Sequence, residues 1–480
     1  MDMLALGLCL FAFFFWAFLL SYKFFHFGYY DWDLAFFAQG MWSLCHGSGY
    51  VSLFDANIFS NHANLIAYFI VPLYKIFPHP LTLVFLKITS YITASFVLYV
   101  LAKERLGSAA AILLLWLYLS YAPNVFALLY EFDFENLAPA FLMLSIYFYM
   151  KDRWLGFLIC AAVLILIKEN LPLIILAFSI HALFVKKDKI RFGVIPGILA
   201  LVSFYLLIFV FMPHISGKPS TGEPLYYIGN NYKNLGGSVG GVFSAFILHP
   251  FKTCHYLMTP VNLSFLIAIF NPLMYLPLGA PGILFLISPI FLQHLLSSSL
   301  TEHNIRYAYV MTMAPFLFLA TIVTLKFFSQ STRSGYRLTL FLLFCVSFVT
   351  LFVNFDVFQK RFLMTETVNQ SQEVIRQRWE LVHLVPPDAS VVASFSFLTQ
   401  LSQRRNLYAF YKLYDPHYQS RQWSYVLPSR VQYALIDISD PWYLEEGVVA
   451  QQRAKKFLNS GGWFILKRYG RYILFKRTVI

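Results

Sequence analysis

Residues 151–189, KDRWLGFLICAAVLILIKENLPLIILAFSIHALFVKKDK, decide the fold. The stretch from Trp154 to Val185 begins and ends at basic clusters, and its two apolar halves meet at Lys168, Glu169, Asn170 and Pro172. Basic clusters mark the cytoplasmic ends of membrane segments, so both ends lie on one side and the stretch reads as a hairpin. Each half holds about 15 residues, or about 22 Å at 1.5 Å per residue. That is short of a full crossing, which puts the charged turn at membrane depth, inside protein. Irregular backbone is tolerated there only where it packs on protein or lines a cavity.

The same pattern repeats along the chain. Met3 to Tyr22, Pro80 to Leu101, Ala109 to Leu129, Phe192 to Phe211, Ala308 to Leu325 and Leu338 to Phe355 are apolar runs near the roughly 20 residues that cross a bilayer. Hydrophobic residues are 59% of the 480 and charged ones 12%, with a mean hydropathy of +0.63. A soluble protein of this size cannot bury so much apolar side chain. The first run lacks a basic leader and a small-residue cleavage site, so it reads as a retained anchor rather than a signal peptide.

The net charge of +13 does not point to nucleic acid. Lys103, Arg105, Lys151, Arg153, Lys186, Lys187, Lys189, Arg191, Arg333 and Arg337 sit in loops between apolar runs, where positive charge sets orientation. The five cysteines form no metal or disulfide pattern. With the N-terminus inside, loop charge gives a polytopic α-helical membrane protein of about eleven transmembrane helices. Residues 1–355 form the membrane domain. Residues 24–79 are its first outer loop, in which Asp33 to Leu44 reads as an amphipathic helix and the short Leu65 to Phe77 as interfacial or re-entrant. From 356 to 480 the composition becomes more polar. Glu366 to Leu384 reads as a helix, Ser390 to Phe395 and Val431 to Ile438 as buried strands, and Trp463 to Leu466 with Tyr472 to Phe475 as a hairpin. This is a small extracytoplasmic α/β domain.

On that topology the rare acids and bases collect on the outer face: Asp31, Asp33, Glu131, Asp133, Glu135, Lys168, Glu169, Glu302, His303 and Arg306. Ionisable groups gathered at a membrane face are expensive and mark function. Asp31 and Asp33 can act as a general base or share a divalent metal such as Mg or Mn; Asp33 can also cap the helix that follows it. Glu131, Asp133 and Glu135 repel one another unless a cation or proton intervenes. They read either as catalytic acids or as a solvated loop with helix-start acids. Lys168 and Glu169 read either as a buried ion pair or as a phosphate site. Arg306 is placed to clamp phosphate oxygens or to anchor at headgroups. His46, His62 and His294 are acceptor-side or supporting residues, without the spacing of a zinc set. No phosphate-binding glycine loop of a nucleotide enzyme is present.

The stretch Asp31-Trp32-Asp33-Leu34-Ala35-Phe36-Phe37-Ala38-Gln39-Gly40-Met41-Trp42, followed by His46-Gly47-Ser48-Gly49-Tyr50, resembles the opening of an uncharacterised family of bacterial polytopic membrane proteins. The resemblance continues at Phe132 to Glu135, Lys168-Glu169, Arg306-Tyr307 and Val385 to Val391, and so covers most of the chain. A His-Pro pair often stands in that family where this chain has Asp133-Phe134, which weakens the case for a role at 133. The family is in turn similar to GT-C glycosyltransferases. The resemblance implies an inverting sugar transfer on the outer face of the bacterial inner membrane, from a polyprenyl-phosphate-linked donor to a glycan, lipid or protein acceptor. It implies that Asp31 or Asp33 deprotonates the acceptor and that Lys168 or Arg306 meets the departing phosphate. Two other readings stay open: a transporter or flippase of a lipid-linked or anionic solute, and a non-catalytic membrane scaffold.

Overall fold

A computed structural model describes residues 1–30, 32–215, 229, 231–358, 369–413, 427–439, 452, 455, 459 and 462–478. Among the described residues five helices are long and apolar enough to cross a membrane: Asp2–Phe25 (α1), Pro80–Leu106 (α4), Ile190–Ile215, Ala314–Ser331 and Arg333–Phe355. Two bent pairs bring the number to seven if each pair is one span, and five shorter apolar helices accompany them. The expected eleven spans would have to be assembled from these three classes. The helix from Ile66 to Ile76 (α3) is 11 residues long with Pro72 inside. It reaches roughly 16 Å, too little to cross.

The chain divides into two compact units. The first takes Met1–Ala17, Phe59–Ala67 and Phe85–Asp356, the second Phe18–Ile58, Tyr68–Val84 and Val357–Ile480. The region after 356 therefore shares its unit with most of the first outer loop.

In the first unit the basic loops gather at one end. Asp2 accepts from Lys103 at 2.6 Å, Lys151 pairs with Glu104 at 2.8 Å, and Lys186 pairs with Asp152 at 2.6 Å. The run expected as one helix from Ala109 to Leu129 is instead two, Ser108–Ser120 (α5) and Ala122–Leu129 (α6), bent by 42°. Tyr121 is extended (φ −62°, ψ 119°) and Pro123 opens the next helix. A break among apolar helices strands carbonyls that have no water to turn to. Each finds a side chain here: Asn354 donates to the Ser120 carbonyl at 2.6 Å and Tyr91 to that of Leu119 at 2.7 Å.

The far end of α6 is finished by Lys87, the one lysine in the apolar stretch Pro80 to Leu101 of α4, which is fully buried. Its Nζ donates to the carbonyls of Leu128, Tyr130 and Glu131 at 3.0, 2.9 and 3.2 Å, with Ala127 at 3.4 Å. A cation over a helix C-terminus also meets the negative end of the helix dipole. Lys87→Met is expected to leave these carbonyls unsatisfied and to lower stability by about 1–3 kcal/mol. The thermal midpoint in detergent reads this directly; an unchanged midpoint would mean that the carbonyls find other donors.

The second unit carries a short antiparallel pair, Tyr50–Val51 (β1) with Ala56–Asn57 (β2), and a five-stranded sheet. Val391–Ala393 (β3), Leu407–Ala409 (β4) and Tyr433–Asp437 (β5) pair in parallel, and Trp463–Tyr469 (β6) and Tyr472–Arg477 (β7) pair antiparallel, in the order β4-β3-β5-β7-β6. The hairpin expected from the sequence is β6–β7. The expected helix is Gln372–His383, with the Ser371 hydroxyl accepting from the Val374 amide as its cap; Glu366 lies outside the described residues. That helix buries Arg378 against the rings of Phe27, Phe397 and Tyr472, at 4.0, 4.8 and 4.8 Å from their centroids. The guanidinium stacks on aromatic faces where an ammonium could not do so as well.

Candidate functional site

Lys168 sits where Trp154–Ile167 (α8) ends, and its backbone is extended (φ −158°, ψ 146°) before Pro172–Val185 (α9) begins. In extended backbone successive side chains point to opposite sides. Lys168 and Glu169 therefore do not pair with each other. Lys168 Nζ reaches Glu135 Oε2 at 2.5 Å, both side chains 5% exposed, with the Tyr309 ring 5.8 Å away. Glu169 turns the other way. Its Oε1 meets His62 Nδ1 at 2.8 Å, and its Oε2 accepts from the Ala63 amide at 3.0 Å. Asn64 donates to the Ile167 carbonyl at the end of α8 at 2.8 Å. Ala63, Ile165, Leu207, Ile208 and Met212 pack as one apolar cluster in the same unit.

The triplet at 131, 133 and 135 divides its work. Asp133 caps the short turn Phe134–Leu137: its Oδ1 accepts from the Glu135 amide at 2.6 Å, and Asn136 Oδ1 accepts from the Asp133 amide at 3.0 Å. This reciprocal cap aims Glu135 at Lys168. Glu131 is buried beside the carbonyls that Lys87 holds. Glu131 and Glu135 are buried, so the segment is not a solvated loop, whereas Asp133 as cap and Glu135 in the first turn are helix-start acids as that reading expected.

A second histidine–carboxylate pair belongs to the same unit. His294, near the end of Pro281–Leu296, is in contact with Glu302 through Nδ1 and Oε2. Glu302 Oε1 accepts from Asn231 at 3.4 Å. Burial pushes the Glu302 carboxyl up, yet the charge and hydrogen bond of His294, with Lys168 beyond, hold it below the ordinary carboxylate range. His303 stands edge-on to Phe265, 6.4 Å between ring centroids.

Part of this set borders a cavity of about 670 Å³. Its lining includes the polar His62, Lys168, Glu169, Asn170, Gln293 and Glu302. It also includes the apolar Phe204, Ile208, Val242, Phe243, Phe246 and Leu292. Phe204 and Ile208 come from the long helix Ile190–Ile215, which widens into a π-helical segment at Leu206–Phe211. Such segments recur at functional sites. Asn170 donates to Gln293 Oε1 at 2.9 Å, while its Oδ1 is buried with no protein partner. Tyr232 donates to the Gln293 carbonyl at 3.0 Å.

Sequence reasoning did not single out Gln293, Asn231, Tyr232 or Tyr309. The available signal was a lone amide inside the apolar run that ends at His294, since a polar residue at membrane depth needs a reason. Arg306 is exposed and is not among the residues lining the cavity.

The remaining candidates belong to the second unit. Asp31 lies outside the described residues. The helix Asp33–Cys45 (α2) has Trp32 at its N-cap without a side-chain bond, so Asp33 is the first helical residue and not the cap. There its charge meets the positive end of the helix dipole. Trp32, between the two acids, packs on Phe54, Tyr411 and Phe395, with ring centroids 4.9, 5.1 and 5.9 Å away. His46 follows α2, exposed and stacked on Trp42 at 4.0 Å. Among the described residues no group of three or more His, Cys, Asp or Glu side chains is arranged to hold a metal ion.

Residues 23–468 match the model of a family described as predicted membrane protein (DUF2079). No curated protein matches the chain in sequence. In fold it is similar to the crystal structure of ArnT from Cupriavidus metallidurans bound to undecaprenyl phosphate. The TM-score is 0.54 at 12% identity, with 98% of this chain and 97% of that one covered. For ArnT in the apo state the values are 0.52 and 11%, covering 94% and 95%. The expected relation to GT-C proteins therefore holds at the level of fold.

Proposed function

The chain belongs to the DUF2079 family of predicted membrane proteins, and from that premise we propose that it is a GT-C-type glycosyltransferase. In this reading it takes a sugar from a polyprenyl-phosphate-linked donor and transfers it, with inversion, to an acceptor at the outer face of a bacterial inner membrane. The observation that carries the proposal is the mixed lining of the 670 Å³ cavity, in which buried charged and amide groups stand together with aromatic and aliphatic side chains. Such a lining matches an amphiphile with a polar head and a hydrocarbon tail. The ArnT fold likeness supports the same ligand class, since that protein was crystallised with undecaprenyl phosphate.

The chemistry follows from charge. As the bond from the sugar C1 to the phosphate oxygen breaks, negative charge grows on that oxygen. Lys168 is a buried cation lining the cavity, and it meets that charge where the surroundings screen little. Glu135 fixes the ammonium in place. By the family resemblance Asp33 or Asp31 takes the acceptor proton, and the packing of Trp32 holds that motif. Positioning two reactants can by itself lower a barrier by several kcal/mol. No step here is assigned to a metal. The N-terminus is cytoplasmic in this scheme, and the C-terminal region faces outward, where the acceptor is met.

The test uses the full chain in nanodiscs. Undecaprenyl phosphate should bind, and Leu292→Trp, which crowds the apolar lining, should weaken binding by roughly tenfold or more, the value of one lost apolar contact surface. Undecaprenyl-phosphoryl sugars should be converted to undecaprenyl phosphate when an acceptor extract is supplied. Movement of an intact lipid or solute across proteoliposomes without chemical change would instead establish the transporter reading. If no polyprenyl phosphate compound binds, the proposal is wrong.

A further inference from the structure

We propose that Gln293 reads the sugar of the lipid-linked donor: its side-chain amide donates to a hydroxyl oxygen of that sugar, and Asn170 and Tyr232 hold it in position to do so. The inference rests on the glycosyl-transfer reading and deepens it, because it gives the one remaining part of the donor a partner. The phosphate has Lys168, and the tail has the aromatic and aliphatic side chains that line the same cavity. A sugar offers neutral hydroxyl groups, and a neutral amide meets them without the desolvation cost of a charge.

Gln293 is the one amide side chain in the largely apolar helix Pro281–Leu296, and it lines the cavity. Its backbone is pinned. It lies in the last helical turn, where the carbonyls have no helical amide to meet. Tyr232 donates to the Gln293 carbonyl at 3.0 Å, Asn262 to that of Leu295 at 2.7 Å, and the Ser297 amide to that of His294 at 3.1 Å. The side chain is held as well, since Asn170 Nδ2 donates to its Oε1 at 2.9 Å. That leaves Nε2 as the open side of the amide, with no partner among the described residues.

The amide is not free to turn round. Exchanging oxygen and nitrogen in both groups would put the Asn170 NH2, with its two donors, where Oδ1 now lies buried without a partner among the described residues. Buried donors are left unpaired less readily than acceptors. Asn170 is itself anchored. It follows Lys168 and Glu169 in the turn between α8 and α9, and its carbonyl accepts from the Leu173 amide at 3.0 Å as α9 begins. α9 packs against Pro281–Leu296, so packed helices carry both ends of the Asn170–Gln293 bond. One turn thus supplies the cation for the phosphate and the group that orients the amide for the sugar.

Binding to the full chain in nanodiscs tests this. The probes are undecaprenyl phosphate, undecaprenyl-phosphoryl glucose, galactose and mannose, and the singly deoxygenated forms of whichever sugar lipid the wild type binds most tightly. One deoxy form should bind the wild type roughly tenfold more weakly than its parent, the scale of one lost hydrogen bond. Gln293→Leu should weaken the parent by a similar factor and bind the parent and that deoxy form alike. It should leave undecaprenyl phosphate within about twofold, since Lys168 is untouched. Asn170→Ala, which frees the amide to turn, should reduce the discrimination in the same sense, and it carries the test if Gln293→Leu does not fold. Equal loss for the sugar lipid and the bare lipid phosphate, no loss in a folded variant, or a wild type indifferent to every deoxygenation overturns the assignment and leaves the glycosyltransferase reading intact. If no polyprenyl phosphate compound binds the wild type, both fall.

Discussion

Lys168→Met is expected to destabilise the first unit by roughly 3–5 kcal/mol, because it strands the Glu135 carboxylate in a buried site. Both side chains of this pair are 5% exposed, so water cannot take the place of the lost ammonium. The thermal midpoint in detergent should fall by several degrees. The double variant Lys168→Met with Glu135→Gln removes both charges together, and most of the stability should return, since the loss lies in the unpaired charge and not in the absent pair. Polyprenyl-phosphate binding should not return with it, because no ammonium then faces the phosphate. Recovery of stability together with binding would reduce Lys168 to a structural residue and would count against the proposed chemistry. The pair of variants separates holding the fold from meeting the ligand, which the single substitution cannot do.

The partners of Lys168 show how far the sequence was legible. The turn itself was readable, since charged residues between two half-length apolar runs, with basic clusters outside, allow little but a hairpin. The pairing was not. Adjacency in sequence suggested Lys168 with Glu169, yet one extended residue turns neighbouring side chains apart. Lys168 reaches Glu135, 33 positions earlier, and Glu169 reaches His62, 107 positions earlier. Partners so distant are set by helix packing, which hydropathy does not encode. The break at Tyr121 was hidden for a related reason: both sides of it are equally apolar, and the signal was Pro123 alone. The capping role expected for Asp33 shifted by one position, a distance within which helix starts are not fixed by sequence. The GT-C-like fold was read from motifs spread along the chain and is now matched by the ArnT architecture.

The opening motif was the strongest resemblance and was read for its acids, yet much of it is architectural. Gln39 is 1% exposed in α2. Its Nε2 donates to Ser52 Oγ at 2.8 Å and to the Arg404 carbonyl at 3.0 Å, and its Oε1 accepts from the Leu53 amide at 3.1 Å. Ser52 continues the link, donating to the Leu407 carbonyl at 2.9 Å and accepting from its amide at 2.8 Å. Lys412 donates to the Leu53 carbonyl at 2.6 Å. Gly40 belongs to the same design, for a Cβ there would lie 2.3 Å from Ile58 Cδ1. An amphipathic helix would need one apolar stripe, but α2 buries Leu34 through Met41 without a gap, and Gln39 is the polar group that this burial has to satisfy. Gln39→Ala should therefore cost roughly 3 kcal/mol, combining an orphaned Leu53 amide with a void among packed side chains. The effect should be local to the second unit: proteolysis should speed up at 33–58 and at 404–413 together, while Lys87 and the α5–α6 break stay protected. Cutting at only one of the two segments would show that Gln39 does not couple them. If the coupling holds, a substitution far from Asp31 and Asp33 in the C-terminal sheet can still silence the acidic motif, by loosening the helix that begins beside it.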